Sequence, residues 1–348
     1  MFAFAKAWVG ATLGGPAETG STSRARSGEA GDVNLSSRPR SGEAGDVGLS
    51  SDRASLVRGE GGGTVQRSGA SIALENVSLR VAAPKGTIEI LRDASLRVAA
   101  GEFVCLLGPS GSGKSTILNL VAGLATPTSG RVLEADAPVA GPGPERAVVF
   151  QDAALFPWLT LRDNIEFPLR LQKLGKQARA ARSEELLRLV HLWRFHDRFP
   201  HELSGGMRQR GAIARALATD PAVLLMDEPF AALDAQTREI LQGEVERIWR
   251  ATRKTIVFVT HNVREAVRLA DRIVLMGTRP GRILHEELVE LPRPRPAGDP
   301  LVTQLSSGIS RRIASEVEKV AREEADDAWV VPGGRGAGDP RRNLGRGI

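Results

Sequence analysis

From Ser71 onward, short apolar runs rich in Val, Ile and Leu alternate with segments of helical spacing. That alternation predicts an α/β domain with a mostly parallel sheet. Four runs stand out as almost uninterrupted: Phe103 to Leu107, Ala147 to Phe150, Val223 to Met226 and Ile256 to Val259. A strand with one wet face alternates in polarity, so continuous apolar runs predict strands covered on both faces. Each run is followed at once by a glycine or polar position: Gly108, Gln151, Asp227 with Glu228, and His261. Ligands of open α/β sheets gather outside the carboxyl ends of the strands, so these positions are expected to converge on one crevice.

Between Gln151 and Leu203 the strand pattern stops, and Ser183 to Trp193 carries leucines at helical spacing. This predicts a helical subdomain at about 152–205, inserted into a domain spanning 71–291. Beyond Leu291 the segment Pro292-Arg-Pro-Arg-Pro296 breaks regular structure, and one charged helix is expected near Ser310 to Asp327. Residues 292–348 therefore read as a C-terminal extension with a mobile end. Residues 1–69 are rich in Gly, Ser, Ala and Arg, and the stretch Arg26 to Val33 recurs as Arg40 to Val47. Such a segment buries too little apolar surface to order itself, so disordered termini are expected.

Composition narrows the function classes. The 348 residues are 41% hydrophobic, enough to bury a sizeable core. The 47 basic residues face 41 acidic ones with no long single-sign block, so the net charge of +6 predicts a mixed, solvated surface and no nucleic-acid partner. Cys105, the only cysteine, lies in an apolar run, which excludes a disulfide scaffold and suits a reducing compartment. No apolar stretch approaches the ~20 residues of a membrane span. Lys6 interrupts the weakly apolar start, so no signal peptide is expected.

Candidate chemistry begins where the first buried run ends. Gly108, Pro109, Ser110, Gly111, Ser112, Gly113, Lys114 and Ser115 satisfy the pattern G-x-x-x-x-G-K-[ST], with a helix expected over Thr116 to Ala122. Glycines let backbone N–H groups curl around phosphate oxygens, and the helix N-terminus adds partial positive charge. The loop thus predicts ATP binding, with Lys114 reaching the β and γ phosphates and the Ser115 hydroxyl offered to Mg²⁺. Val223 to Glu228 delivers two adjacent carboxylates to the same crevice. Asp227 is expected to act as a water-mediated Mg²⁺ partner and Glu228 as the general base that polarises the attacking water.

Ser204, Gly205 and Gly206 precede a helix expected over Met207 to Ala218, a second anion-binding start that one ATP does not need. The loop at Gly108, Gln151, the Ser-Gly-Gly turn, the Asp-Glu pair, Ala232-Leu-Asp234 and His261 occur in an order and spacing that resembles the ATP-binding cassette (ABC) ATPases. The resemblance covers Ser71 to about Leu291. It implies a P-loop core, with a RecA-like mostly parallel sheet, an antiparallel β subdomain and the inserted helical subdomain. It further implies a head-to-tail homodimer in which Ser204 and Gly206 of one copy close over the γ-phosphate held by Lys114 of the other. In that arrangement Gln151 would sense Mg²⁺ and the γ-phosphate and report to the helical subdomain, His261 would contact the γ-phosphate, and Asp234 would cross the dimer interface.

The chain departs from the family pattern twice. Met207 replaces the glutamine that usually ends the signature, and Val81 stands where an aromatic residue stacks on adenine, in a chain without tyrosine. Leu155 to Thr160, Phe199 to Leu203 and Thr278 to Ile283 are similar to the nitrate, sulfonate and taurine branch of bacterial importer ATPases. That branch implies a separate transmembrane permease docking near Trp158, an extracytoplasmic solute-binding protein, and attachment to the cytoplasmic face of the membrane through the permease. A non-transport ABC ATPase acting on DNA or ribosomes is the alternative, and it would carry a long coiled-coil insertion or a second cassette. An ordinary kinase would leave the Ser-Gly-Gly turn unexplained.

Overall fold

The computed structural model describes residues 67–328 apart from Lys85 and Ala297, so the expected disorder of the two ends lies outside the described residues. Two sheets form the frame. Strands β1 (Ile72–Ala83), β2 (Gly86–Val98), β4 (Ser129–Glu134) and β5 (Ala137–Pro138) make an antiparallel sheet in the order β2-β1-β4-β5. The larger sheet has the order β10-β9-β3-β8-β7-β6, from β3 (Phe103–Leu107), β6 (Arg146–Val149), β7 (Val223–Asp227), β8 (Thr255–Thr260), β9 (Arg272–Gly277) and β10 (Arg282–Leu288). All its pairings are parallel except β10 with β9.

The uninterrupted apolar runs follow from this layering. In β3, Phe103, Cys105 and Leu107 face one core while Val104 and Leu106 face the other, and all five are fully buried. One core lies against helix α1 (Lys114–Val121) and the antiparallel sheet, and includes Ile72, Leu74, Leu96, Ile117 and Leu118. The other lies under α4 (Gly205–Ala218), α5 (Ala235–Thr252) and α6 (Val263–Leu269), and continues into α2 (Leu161–Leu171) and α3 (Lys176–Leu189) of the helical region. Burial of each such Leu or Ile stabilises the fold by roughly 1.5–3 kcal/mol.

Several helix starts follow side-chain caps. The Ser204 hydroxyl accepts from the Met207 N–H at 3.3 Å, which starts α4 two residues before the expected Met207. Asp234 caps α5 by accepting from the Thr237 N–H at 2.9 Å. The C-terminal helix α7 runs Pro300–Ala328 and begins ten residues before the expected Ser310. Asp299 accepts from the Leu301 N–H at 2.8 Å and Pro300 supplies a preset first turn. Val302 and Ile309 of α7 are buried in the second core.

The segment Pro292 to Pro296 has no helix or strand, yet it holds two arginines inward. Arg295, 3% exposed, donates to the carbonyls of Val267 at 2.9 Å, Ala270 at 2.5 Å, Val289 at 2.8 Å and Leu291 at 3.0 Å. Arg293 donates to the Leu269 carbonyl at 2.6 Å and to Asp271 Oδ1 at 2.8 Å, and lies 4.6 Å over the Trp249 ring. The last carbonyls of α6, which a helix end leaves unpaired, are satisfied by these guanidiniums.

Candidate active site

Parallel pairing aligns the carboxyl ends of four neighbouring strands. Leu107 pairs with Thr260, Asp227 with Val259, and Met226 with Val149. Gly108, His261, Glu228 and Gln151 therefore leave the same edge of the sheet, as the runs predict.

The loop after β3 is shaped by close approach and backbone hand. A Cβ on Gly108 would sit 2.5 Å from the Met276 carbonyl oxygen of β9, so the chain turns there without a side chain. Gly113, at φ 84°, adopts the left-handed conformation that lets α1 start at Lys114. Lys114, Ser115 and Thr116 thus occupy the first turn of α1, where the expected start was Thr116. The Lys114 ammonium folds back to donate to the carbonyls of Gly108 at 2.9 Å and Pro109 at 2.8 Å and to Ser112 Oγ at 3.4 Å. Burial holds its pKa below the usual lysine value, against the pull of Glu228 and Asp227. An ammonium whose hydrogen-bond acceptors are all neutral oxygens is suited to exchanging them for phosphate oxygens.

The two carboxylates have different partners, Asp227 ending β7 and Glu228 lying in the turn just after it. Asp227 Oδ1 accepts from the Ser115 hydroxyl at 3.0 Å, and burial raises the Asp227 pKa. Glu228 Oε2 lies 3.0 Å from His261 Nδ1. Glu228 has φ 43°, a left-handed conformation costing about 1–3 kcal/mol for a side-chain-bearing residue. Its N–H donates to the Val259 carbonyl at 3.0 Å, which holds the strained turn in place. Gln151 is exposed two residues beyond β6, which is the neighbour of the strand that ends at Asp227.

Ser204, Gly205, Gly206 and Asp234 form a separate group. Gly206 is buried against Thr237 of α5, where a Cβ would come within 2.5 Å of Thr237 Cγ2, so the capped starts of α4 and α5 lie side by side. Hydrogen bonds from the backbone and side chain of Thr237 hold the Asp234 carboxyl below the usual range. Among the described residues, no hydrogen bond or ion pair joins this group to the loop at Gly108 to Ser115.

Residues that the motifs do not reveal support the site from behind. Arg238 donates to the Leu233 carbonyl at 2.7 Å and the Phe230 carbonyl at 3.4 Å, and lies 3.5 Å from Glu265 Oε1. Buried Glu265, whose pKa burial raises, accepts from the Thr260 hydroxyl at 2.7 Å. These side chains join Glu228, His261 and Asn262 around a cavity of about 50 Å³, polar and roomy enough for water. The only available signal was an acidic residue in the first turn after His261.

Two outlying features complete the picture. Trp158 is 70% exposed, on a loop held by buried Asn164, whose amide donates to the carbonyls of Phe156, Leu159 and Thr160 at 3.0–3.1 Å and whose Oδ1 accepts from the Phe156 N–H at 2.8 Å. Val81 is exposed on β1 opposite Ile88 of β2.

Comparison with known proteins places this geometry. Residues 91–231 match the family model described as ABC transporter. The taurine import ATP-binding protein TauB of Burkholderia pseudomallei is 45% identical over 259 residues, covering 72% of this chain and 100% of that protein. The nitrate import ATP-binding protein NrtD of a Synechocystis species is 48% identical over 208 residues, covering 60% of this chain and 78% of that protein. A solved ATP-binding cassette, in a dimeric post-hydrolysis state bound to ADP and Pi, superposes with a TM-score of 0.57 at 34% identity, covering 63% of this chain and 99% of that one.

Proposed function

The chain belongs to the family of ABC transporter ATP-binding proteins, and on that footing we propose that it hydrolyses ATP to drive uptake of a small anion of the taurine, sulfonate or nitrate class. The observation that carries the reading is the shared strand edge on which Lys114, Ser115, Asp227, Glu228 and His261 meet. The relatives named as import proteins support uptake over action on nucleic acid or ribosomes.

In this reading the loop from Gly108 to Thr116 cradles the phosphates, and Lys114 gives up its loop carbonyls for β and γ oxygens. Ser115 and Asp227, already 3.0 Å apart, and Gln151 are hard oxygen donors that fit Mg²⁺. They are too few for an octahedron, which leaves the remaining positions to phosphate and water. Bound there, Mg²⁺ would neutralise charge developing between the β and γ phosphates. Glu228 accepts the proton of the attacking water, and His261 orients that carboxylate and reaches the γ-phosphate. The capped starts of α4 and α5, apart from the loop in one chain, are proposed to close over the loop of a second copy through Ser204, Gly205, Gly206 and Asp234. The dimeric state of the superposed cassette supports this.

Among the described residues no helix is long and apolar enough to cross a membrane. The import relatives support a separate permease that holds the subunit at the cytoplasmic face, and the stiff loop presenting Trp158 is the proposed contact. A solute-binding protein on the far side would deliver the anion. The test is co-reconstitution in proteoliposomes with a candidate permease and solute-binding protein. Taurine, an alkanesulfonate or nitrate should stimulate ATP turnover, and indifference to all three would refute the anion class.

A further inference from the structure

Helix α4 does more than present Ser204. Five residues into it, buried Gln209 donates from Nε2 to the Phe150 carbonyl at 3.2 Å, immediately before Gln151. Near its other end Arg215 donates from Nη1 to the Ala154 carbonyl at 2.8 Å and from Nη2 to the Ala153 carbonyl at 3.3 Å. Burial lowers the Arg215 pKa to about 10, and its guanidinium lies 5.3 Å over the Phe156 ring, which in turn lies 5.5 Å from Trp158. Ala154 has φ 46°, so the loop is held in a conformation it would not adopt unaided. Between the two contacts, Gly211 lets α4 press against α2 and the loop: a Cβ there would come 2.6 Å from Leu161 Cδ1 and 3.4 Å from Leu155 Cδ1.

We propose that Arg215, assisted by Gln209, is a positioning residue that fastens the Gln151 loop and the Trp158 loop to α4, so that nucleotide engagement at Gln151 is transmitted to Trp158 and to Ser204. The proposal rests on the reading that Gln151 meets the bound nucleotide and that Ser204 serves the partner's site. Arg215 itself touches no reacting atom. A planar two-pronged donor is needed because two successive carbonyls of a turning loop must be gripped together. The loop and the helix then respond as one body.

The chain suits a direct test, because its only cysteine, Cys105, is fully buried. In the full chain carrying Glu228→Gln, Trp158→Cys is labelled with an environment-sensitive maleimide dye, and emission is followed on adding ATP. The parent should respond. Arg215→Gln should lose most of the response while binding a fluorescent ATP analogue normally, Arg215→Lys should recover part of it, and Gln209→Ala should show a partial loss. With Glu228 restored and position 158 left as Trp, Arg215→Gln should lower kcat about tenfold with KM within about twofold. A full ATP response in both Arg215→Gln and Gln209→Ala overturns the proposal, as does a parent that binds the analogue with no emission change. Thermal melts identify a variant that fails to fold, in which case Gln209→Ala decides. Full turnover of Ser204→Arg would sink the shared-site reading separately.

Discussion

His261 Nδ1 lies 3.0 Å from Glu228 Oε2, so the residues that immediately follow two adjacent strands meet at the same point of the sheet edge. If Glu228 is the base, Glu228→Gln keeps a partner for His261 but cannot take a proton. The variant should bind ATP with near-normal affinity, lose hydrolysis by about 10²–10⁴-fold, and accumulate a dimer with ATP bound. Phosphate release and size-exclusion profiles check this, and undiminished turnover removes Glu228 from that role.

The separation of Ser204 from Lys114 within one chain predicts complementation. Ser204→Arg and Lys114→Ala should each be inactive alone. In an equal mixture the mixed dimers hold one intact site, so about a quarter of wild-type activity should return if sites act independently and subunits pair at random. A mixture as dead as its parts would place both halves of the site in one protomer.

Asp227 links function to stability through its charge. Burial raises its pKa in the folded protein, so ionising it costs the native state above the ordinary carboxylate value of 3.8. Below that value both folded and unfolded chains are protonated and the cost vanishes. Asp227→Asn should therefore melt a few degrees higher at pH 7, with the advantage shrinking as pH falls towards 3.8, while weakening Mg²⁺-dependent ATP binding. Equal melting curves at pH 7 would count against a desolvated carboxylate.

Val81 and Ile88 form an exposed aliphatic pair across β1 and β2. Val81→Tyr should tighten ATP binding by roughly 1–3 kcal/mol if it stacks on the base. Titration with ATP and with a triphosphate lacking the base separates stacking from a general effect, since only ATP should gain.

Much of this was legible because buried parallel strands write themselves as unbroken apolar runs. Phe103 to Leu107 and Val223 to Met226 needed no partner to be recognised, and the residues after them fell on one edge by the topology of any open sheet. Asp299-Pro300 carries the residue types of a helix start, but it follows a proline-arginine segment whose pattern is that of a break. Arg238 and Glu265 were not legible, because each is an ordinary charged residue of a helix until the fold sets them 3.5 Å apart. Arg295 is the extreme case, since nothing local announces that a guanidinium will sit among four backbone carbonyls.

That cluster sets its own test. Arg295→Met keeps bulk but leaves buried carbonyls unpaired, which should destabilise the fold by about 3–5 kcal/mol and lower the melting midpoint on the order of 10 °C. A melt within a degree of wild type would mean that water replaces the side chain without loss.

The same arginines impose an order on synthesis. A ribosome makes α6 before Arg293 and Arg295, so for that interval the final carbonyls of the helix lack the guanidinium donors they have in the fold. The helix that follows His261 is thus completed by residues made after it, and a chain stopped at Leu291 would leave the carbonyls of Val267, Leu269 and Ala270 without their guanidinium partners.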